Sequence, residues 1–393
     1  MSLNHLLQRA DCAYRARFGG EPLWHAAAPG RVNLIGEHTD YNGGFVFPMA
    51  IERYTVIAAG PRAGGKKAAV WTDTFDEEAE VELARKVPPA GKVDWRSYVA
   101  GTIGCALEKG LAADPFNAVI VSDVPLGGGL SSSASLEVGV ATLLEAVSGT
   151  AIDPVEKALL CQKAEHEYAF MPCGIMDQFI SAMAAEGHAM QLDCRSFERK
   201  NVPLSDPRIA VLVTNSNVKH TLSGSEYPQR RADCAKAAEL LGVRLLRETT
   251  VPALETNRAK FDALDDGERI YRRARHFLTE EERVARFAQA LAAGDWQAAG
   301  EAMYEGHRSL KEDYEVTCPE TDALVEIAER IGAGGGVYGS RMTGGGFGGC
   351  TVSLIEAGKA ESIAEQIRAA YRKATGIEPA IFVTRAAAGA RIL

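Results

Sequence analysis

Residues 122–135 read SDVPLGGGLSSSAS, and they stand between a β-rich run at 116–121 and an apolar-periodic stretch at 133–147 that predicts a helix. Gly127, Gly128 and Gly129 free the backbone to turn its amides inward, which makes an anion-binding concavity. After Leu130, Ser131, Ser132 and Ser133 fall where the helix begins, and there the free N–H groups and the helix dipole favour a phosphate. A plain glycine turn with a serine cap is the alternative. Capping needs one serine, however, and three serines behind three glycines favour phosphate. The loop lacks the Gly-Lys-Ser/Thr ending of a Walker A motif, and neither DFG nor HRD of protein kinases occurs anywhere in the chain.

Upstream, residues 29–44 read PGRVNLIGEHTDYNGG. Arg31, Glu37, His38, Asp40 and Tyr41 fall within eleven positions, and Val32, Leu34 and Ile35 tie them to a core. Acid, base and cation on a glycine-rich turn suit a small polyhydroxylated ligand: carboxylates accept hydrogen bonds from hydroxyls and imidazole donates or accepts. An arginine–carboxylate network that only fixes a loop is the competing account.

Downstream, PCGIMDQFIS at 172–181 sets Asp177 among Ile175, Met176, Phe179 and Ile180. A carboxylate in apolar surroundings must be paired, hydrogen-bonded or functional, and helix capping is equally open. Glu165 lies on the preceding predicted helix, 154–168, where a surface charge is the ordinary expectation; HExxH is absent. A second glycine loop, MTGGGFGG at 342–349, fits GxGxxG on paper, but a β-like CTVSLI follows it, so the dinucleotide reading fails on context. A close backbone approach, to a ligand or to the first glycine loop across a cleft, is the better account.

The chain has 393 residues, which makes two domains the default. The polar stretch RSFERKNVPLSDPR at 195–208 is the candidate junction, dividing 1–205 from 206–393. The first part alternates strand-like and helix-like segments; the second is helix-rich to about residue 331 and closes β-α-β. A net charge of −9 argues against nucleic acid or membrane surfaces as general partners. No apolar run reaches the ~20 residues needed to span a bilayer. Eight cysteines without a CxxC pair, and no export signal, point to a reduced, cytoplasmic protein.

Several stretches together resemble one family. GRVNLIGEHTDYNGG is similar to the galactokinase signature, LGGGLSSSAS to the phosphate loop of the GHMP small-molecule kinases, CGIMDQ to the motif bearing their catalytic acid, and MTGGGFGGC to their third motif; SEYPQRR at 225–231 resembles a further galactokinase stretch. The resemblance implies a two-domain α+β GHMP kinase fold: a ribosomal-protein-S5-like N-terminal domain, a ferredoxin-like C-terminal domain and a site in the cleft between them. It implies transfer of the γ-phosphate of ATP, with Mg2+, to the C1 hydroxyl of α-D-galactose by a monomer. By position, Asp177 would be the catalytic base and Arg31 its partner. Glu37, His38, Thr39, Asp40, Gly174, Asp177 and Tyr227 would contact the sugar. Gly127 to Ser133 and Trp95 would hold ATP, although a core role for Trp95 is as good; Ser133 and Glu165 would ligate magnesium. A kinase for a related sugar, and a galactose- and ATP-binding regulator without turnover, remain as alternatives. The intact SSSAS, Arg31 and Asp177 speak against the regulator.

Overall fold

The computed structural model describes residues 2–85, 93–219 and 226–393, the side chains of 219, 226 and 227 excepted. Its first sheet follows from period-two alternation in strands that are buried on both faces. In β1 (Trp24–Asn33) Ala26 and Ala28 face one layer and Ala27 the other. After the short β2 (Phe45–Val46), β3 (Pro48–Pro61) repeats the pattern, with Ile57 and Ala59 opposed to Val56 and Ala58. β4 (Lys67–Thr72), β5 (Glu77–Glu82) and β6 (Phe116–Ser122) extend the sheet, and β13 (Arg391–Ile392) closes its other edge, giving the order β13-β1-β3-β6-β4-β5. The β4–β6 pair is parallel and its neighbours antiparallel. One face is covered by α2 (Trp95–Glu108), α3 (Ser132–Ser148) and α4 (Pro154–Tyr168), the other by α1 (Leu3–Phe18) and α5 (Met176–Met183).

β7 (His188–Asp193) and β8 (Arg199–Pro203) form a small antiparallel sheet with β2. β9 (Ile209–Lys219), β10 (Val337–Met342), β11 (Gly348–Glu356) and β12 (Ala380–Thr384) form a third, in the order β10-β11-β9-β12. The intervening helices are α6 (Glu226–Leu241), α7 (Val251–Thr256), α8 (Arg258–Asp262), α9 (Gly267–Ala293), α10 (Trp296–Ser309) and α11 (Pro319–Gly335); α12 (Ala360–Thr375) follows β11. Val211, Val213, Val352 and Leu354 of the third sheet face α9 and α10, while Ala210, Leu212 and Ile355 face α11 and α12.

Most predicted helices and strands are present within a few residues. Three differences matter. β1 was not expected, because WHAAAPGRVN has Trp24 and Val32 as its only aromatic and β-branched residues, with three alanines, a proline and a glycine between them. The polar 195–208 stretch is not simply a linker, since it carries β8, an edge strand with four of its five residues exposed. β10 is masked in sequence by the glycines around it.

Val32, Leu34 and Ile35 do enter a core, and it is the one shared with Val284, Phe287, Ala299, Ala302 and Met303 of α9 and α10. Phe47 and Phe287 meet there edge to face at 5.1 Å, joining the residue between β2 and β3 to α9. Both rings are fully buried. Replacing Phe287 by alanine should lower unfolding free energy by about 3–5 kcal/mol, read from the urea midpoint. A loss under about 1 kcal/mol would mean that this core is not shared in solution.

Candidate active site

Arg31 is aimed by a β-bulge. The β1–β3 register slips between Pro29 and Arg31, and a bulge of this kind re-aims the side chains beside it. The Arg31 amide donates to the Leu130 carbonyl at 3.1 Å, so the strand and the glycine loop are joined by backbone. Its guanidinium then forks onto Asp177, with Nε to Oδ1 and Nη2 to Oδ2 both at 2.8 Å, and Nη1 donates to the Gly129 carbonyl at 2.5 Å. Asp177 lies in the first turn of α5 and is not its cap residue. The Ser131 hydroxyl also donates to Asp177 Oδ2. Ser131 occupies the cap position of α3 in the left-handed region, φ 61°, without capping through its side chain. The simple serine-cap account therefore fails: that hydroxyl is committed to the carboxylate and does not cap the first-turn amides of α3.

A cavity of about 180 Å³ opens at this junction, lined by Arg31, Glu37, His38, Asp40, Glu165, Gly174, Asp177, Gly344 and Gly345 among others. The signature residues Arg31, Glu37, His38 and Asp40 thus line one cavity with Asp177. His38 sits in the left-handed region (φ 62°), a conformation that costs energy in a non-glycine residue and collects at functional loops. Gly174 is required sterically: a Cβ there would lie 1.6 Å from Asp40 Oδ2. Asp40 accepts from the Tyr41 amide at 3.0 Å, and burial, followed by the nearby Asp177 charge, pushes its carboxyl up to about 6. Thr39 is placed differently from expectation. It is fully buried, its hydroxyl lies within hydrogen-bond distance of the carbonyls of Gly36 (2.8 Å) and Phe45 (2.7 Å), and it is not among the residues that line the cavity. Tyr227 lies at the start of α6, and its side chain is outside the described residues.

Sequence reasoning missed the support beneath Glu37. Arg341, the residue before MTGGGFGG, is fully buried and pairs with Glu37 at 2.7 Å and Glu280 at 3.0 Å; Glu280 also pairs with Arg283 at 2.6 Å. Burial pushes Glu37 up to about 7 against the pull of Arg341. Burial acts on Glu280 too, but Arg341 and Arg283 hold it below the usual carboxylate range. The i,i+3 spacing of Glu280 and Arg283 was a visible signal; their pairing with Arg341 was not. Nearby, the Asn33 amide donates to Thr343 Oγ1 at 2.9 Å and that hydroxyl donates back to the Asn33 carbonyl at 3.1 Å. The two glycine loops do meet: a Cβ on Gly344 would lie 2.8 Å from the Gly129 carbonyl.

Beside the first turn of α3 lies a second cavity of about 300 Å³, lined by Phe75, Trp95, Tyr98, Leu126 and Leu136 together with Ser132 and Ser133. Trp95 belongs both to this wall and to the core, and its indole N–H donates to Glu77 at 3.0 Å. Leu130 turns its side chain into the shared core and contributes its carbonyl. Glu165, far from being a surface charge, is buried; it accepts from Gln178 at 2.7 Å and is hydrogen-bonded to Cys173 and Ser133. Burial and the neighbouring Asp177 push it up to about 7. An apolar slot, a helix N-terminus and a polar cavity in series suit a nucleotide facing a small polar acceptor.

Residues 13–61 match the family model for the galactokinase galactose-binding signature, 97–185 that for the GHMP kinases N terminal domain, and 287–373 that for the GHMP kinases C terminal. The chain is 48% identical over 393 residues to the galactokinase of Homo sapiens, covering 99% of this chain and 97% of that protein. It is 46% identical over 394 residues to that of Bos taurus, with the same coverage. The crystal structure of Lactococcus lactis galactokinase complexed with galactose superposes with a TM-score of 0.88 at 32% identity, over 98% of this chain and 99% of that one. A mevalonate kinase structure superposes at 0.67 and 18% identity, covering 92% and 98%, a likeness of fold alone. The chain belongs to the galactokinase family of GHMP kinases.

Proposed function

We propose that this chain transfers the γ-phosphate of ATP to the C1 hydroxyl of α-D-galactose, with Asp177 as the base. The observation that carries this reading is the double hold on Asp177, by the Arg31 fork and by Ser131 of the glycine loop, at the point where the polar cavity meets the N-terminus of α3. A sugar hydroxyl is a poor nucleophile until a carboxylate accepts its proton, and phosphoryl transfer otherwise needs in-line positioning and charge neutralisation. Asp177 supplies the acceptor. Arg31 orients it and adds fixed positive charge where the transferring group passes. Glu37, His38, Asp40 and the backbone at Gly174 would grip the remaining hydroxyls, with Tyr227 as a further contact. The aromatic slot at Trp95 would take the base of ATP, and Gly127 to Ser133 its phosphates.

Ser133 and Glu165 fit a hard cation. They offer oxygen donors, and Glu165 is a buried carboxyl whose charge a cation would compensate. Mg2+ takes one or two carboxylates and relies on substrate phosphates for much of its shell. Bound there, Mg2+ would neutralise phosphate charge. Residues 1–205 would then supply the sugar signature, phosphate loop and Asp177, and 206–393 the third motif. The family resemblance favours a monomer, and eight free cysteines support a reducing, cytoplasmic setting.

The test is a coupled assay across galactose, N-acetylgalactosamine, arabinose, glucose, mevalonate and homoserine; turnover with galactose is expected, and turnover with none would favour the regulator. Asp177→Asn should lower kcat by about 10²–10⁴-fold with ATP affinity retained, and a variant keeping more than a tenth of kcat would remove Asp177 as base. Gly174→Ala must displace Asp40, so calorimetry should show galactose affinity reduced more than about tenfold, the cost of one charge-assisted hydrogen bond and some strain. Unchanged affinity would put Asp40 outside the sugar contacts. Asp40 keeps its proton up to about pH 6. If its ionised form accepts from the sugar, galactose affinity falls as pH is lowered through about 6 and levels off above it. Asp40→Asn should bind weakly with that dependence removed.

A further inference from the structure

Where α3, α4 and α5 meet lies a buried polar cluster to which the proposed function gives no work. Glu137 of α3 and Gln178 of α5 are fully buried, and Glu165 of α4 is nearly so. The Gln178 amide nitrogen lies 2.7 Å from Glu165 Oε2 and 3.1 Å from Glu137 Oε2. A primary amide has two N–H groups to donate, and here each carboxyl takes one. Nitrogen belongs at that position because an amide oxygen facing both carboxyls would need a proton on each of them. Glu165 Oε2 also accepts from Cys173 Sγ at 3.4 Å. Oε1 is the oxygen that neither Gln178 nor Cys173 takes.

Packing alone does not call for an acid and an amide at these places. Glu137 Oε1 and Gln178 Oε1 are buried without a hydrogen-bond partner. Unpaired buried oxygens are unfavourable, and methionine would fill much the same space without them. The geometry shows what the cluster can do. Gln178 follows Asp177 in the first turn of α5, and Asp177 is held by the Arg31 fork. Asp177 and Glu165 both line the polar cavity. The two carboxyls are therefore fixed from one turn of helix, Glu165 through the side chain next to Asp177. Carboxylates that ligate metals are commonly oriented by hydrogen bonds of this kind.

We propose that Gln178, anchored on Glu137, is a positioning residue that holds Glu165 Oε2 and presents Oε1 to the cation of the bound nucleotide, with Glu137 serving as a hydrogen-bond acceptor and not as a metal ligand. The proposal rests on the reading above that gives Glu165 to Mg2+.

The experiment is electron paramagnetic resonance of Mn2+ bound to the full chain with a non-hydrolysable ATP analogue, beside calorimetry of metal-free ADP. Gln178→Met, close in shape but without the donor, should weaken Mn2+ binding about tenfold to a hundredfold, the range for losing a group that orients a metal ligand. Metal-free ADP affinity and KM for galactose should be unchanged, which a general loss of packing would not allow. Glu137→Gln keeps an oxygen acceptor and should retain the wild-type Mn2+ affinity, whereas Glu137→Met should match Gln178→Met. If Gln178→Met does not fold, Gln178→Asn, one methylene too short to span both carboxyls, carries the same expectation. Wild-type Mn2+ affinity in a folded Gln178 variant, or equal losses in Glu137→Gln and Glu137→Met, would overturn the proposal and leave Glu165 with the cation. Wild-type Mn2+ affinity in Glu165→Ala would remove the cation reading itself, and the proposal with it.

Discussion

The bidentate contact between Arg31 and Asp177 is the interaction on which the rest of the site is hung. Arg31 belongs to the bulged end of β1 and Asp177 to the first turn of α5, and the same guanidinium holds a carbonyl of the glycine loop. One planar fork therefore fixes three elements in both distance and orientation, which a lysine point charge could not do. The arginine is buried and the aspartate largely so, hence neither charge is well solvated without the other. Breaking such pairs is costly chiefly because of the charge left behind. The fork that orients the Asp177 carboxylate is thus also the contact that lets both charges be buried.

A second ionic assembly lies behind it. Arg341 joins Glu37, from the sugar signature, to Glu280 of α9, and all three side chains are essentially out of water. Desolvating them is unfavourable, and hydrophobic replacements could pack the same space. The arrangement does something a hydrophobic patch cannot: it orients Glu37, whose other oxygen accepts from the Gly344 amide at 3.3 Å. The cavity wall is therefore built on residues from three separate stretches of chain.

How much of this was legible in sequence follows from range. The glycine–serine loop, the signature and the acid motif are local, and each pointed to a chemistry beside an open structural alternative. Their convergence was inferable only by resemblance, since no spacing shows that Ser131 donates to Asp177. The alanine-rich β1 hides because alanine carries almost no strand preference, and its identity as a strand comes from pairing with β3. Thr39 looked like its polar neighbours, yet a small hydroxyl can satisfy loop carbonyls as readily as a ligand. Arg341 and Glu280 were silent, because a buried charge is recognisable only once its partners are in place.

The paired hydrogen bonds of Asn33 and Thr343 bridge a sequence separation of 310 residues, and the Arg31–Asp177 fork one of 146. Contacts so distant in the chain require large loops to close before they return any stabilisation, which makes them late events in folding. The candidate site can therefore exist only after both glycine loops have docked. A chain with its sheets formed and these bridges open would look folded by its secondary structure and yet contain no site.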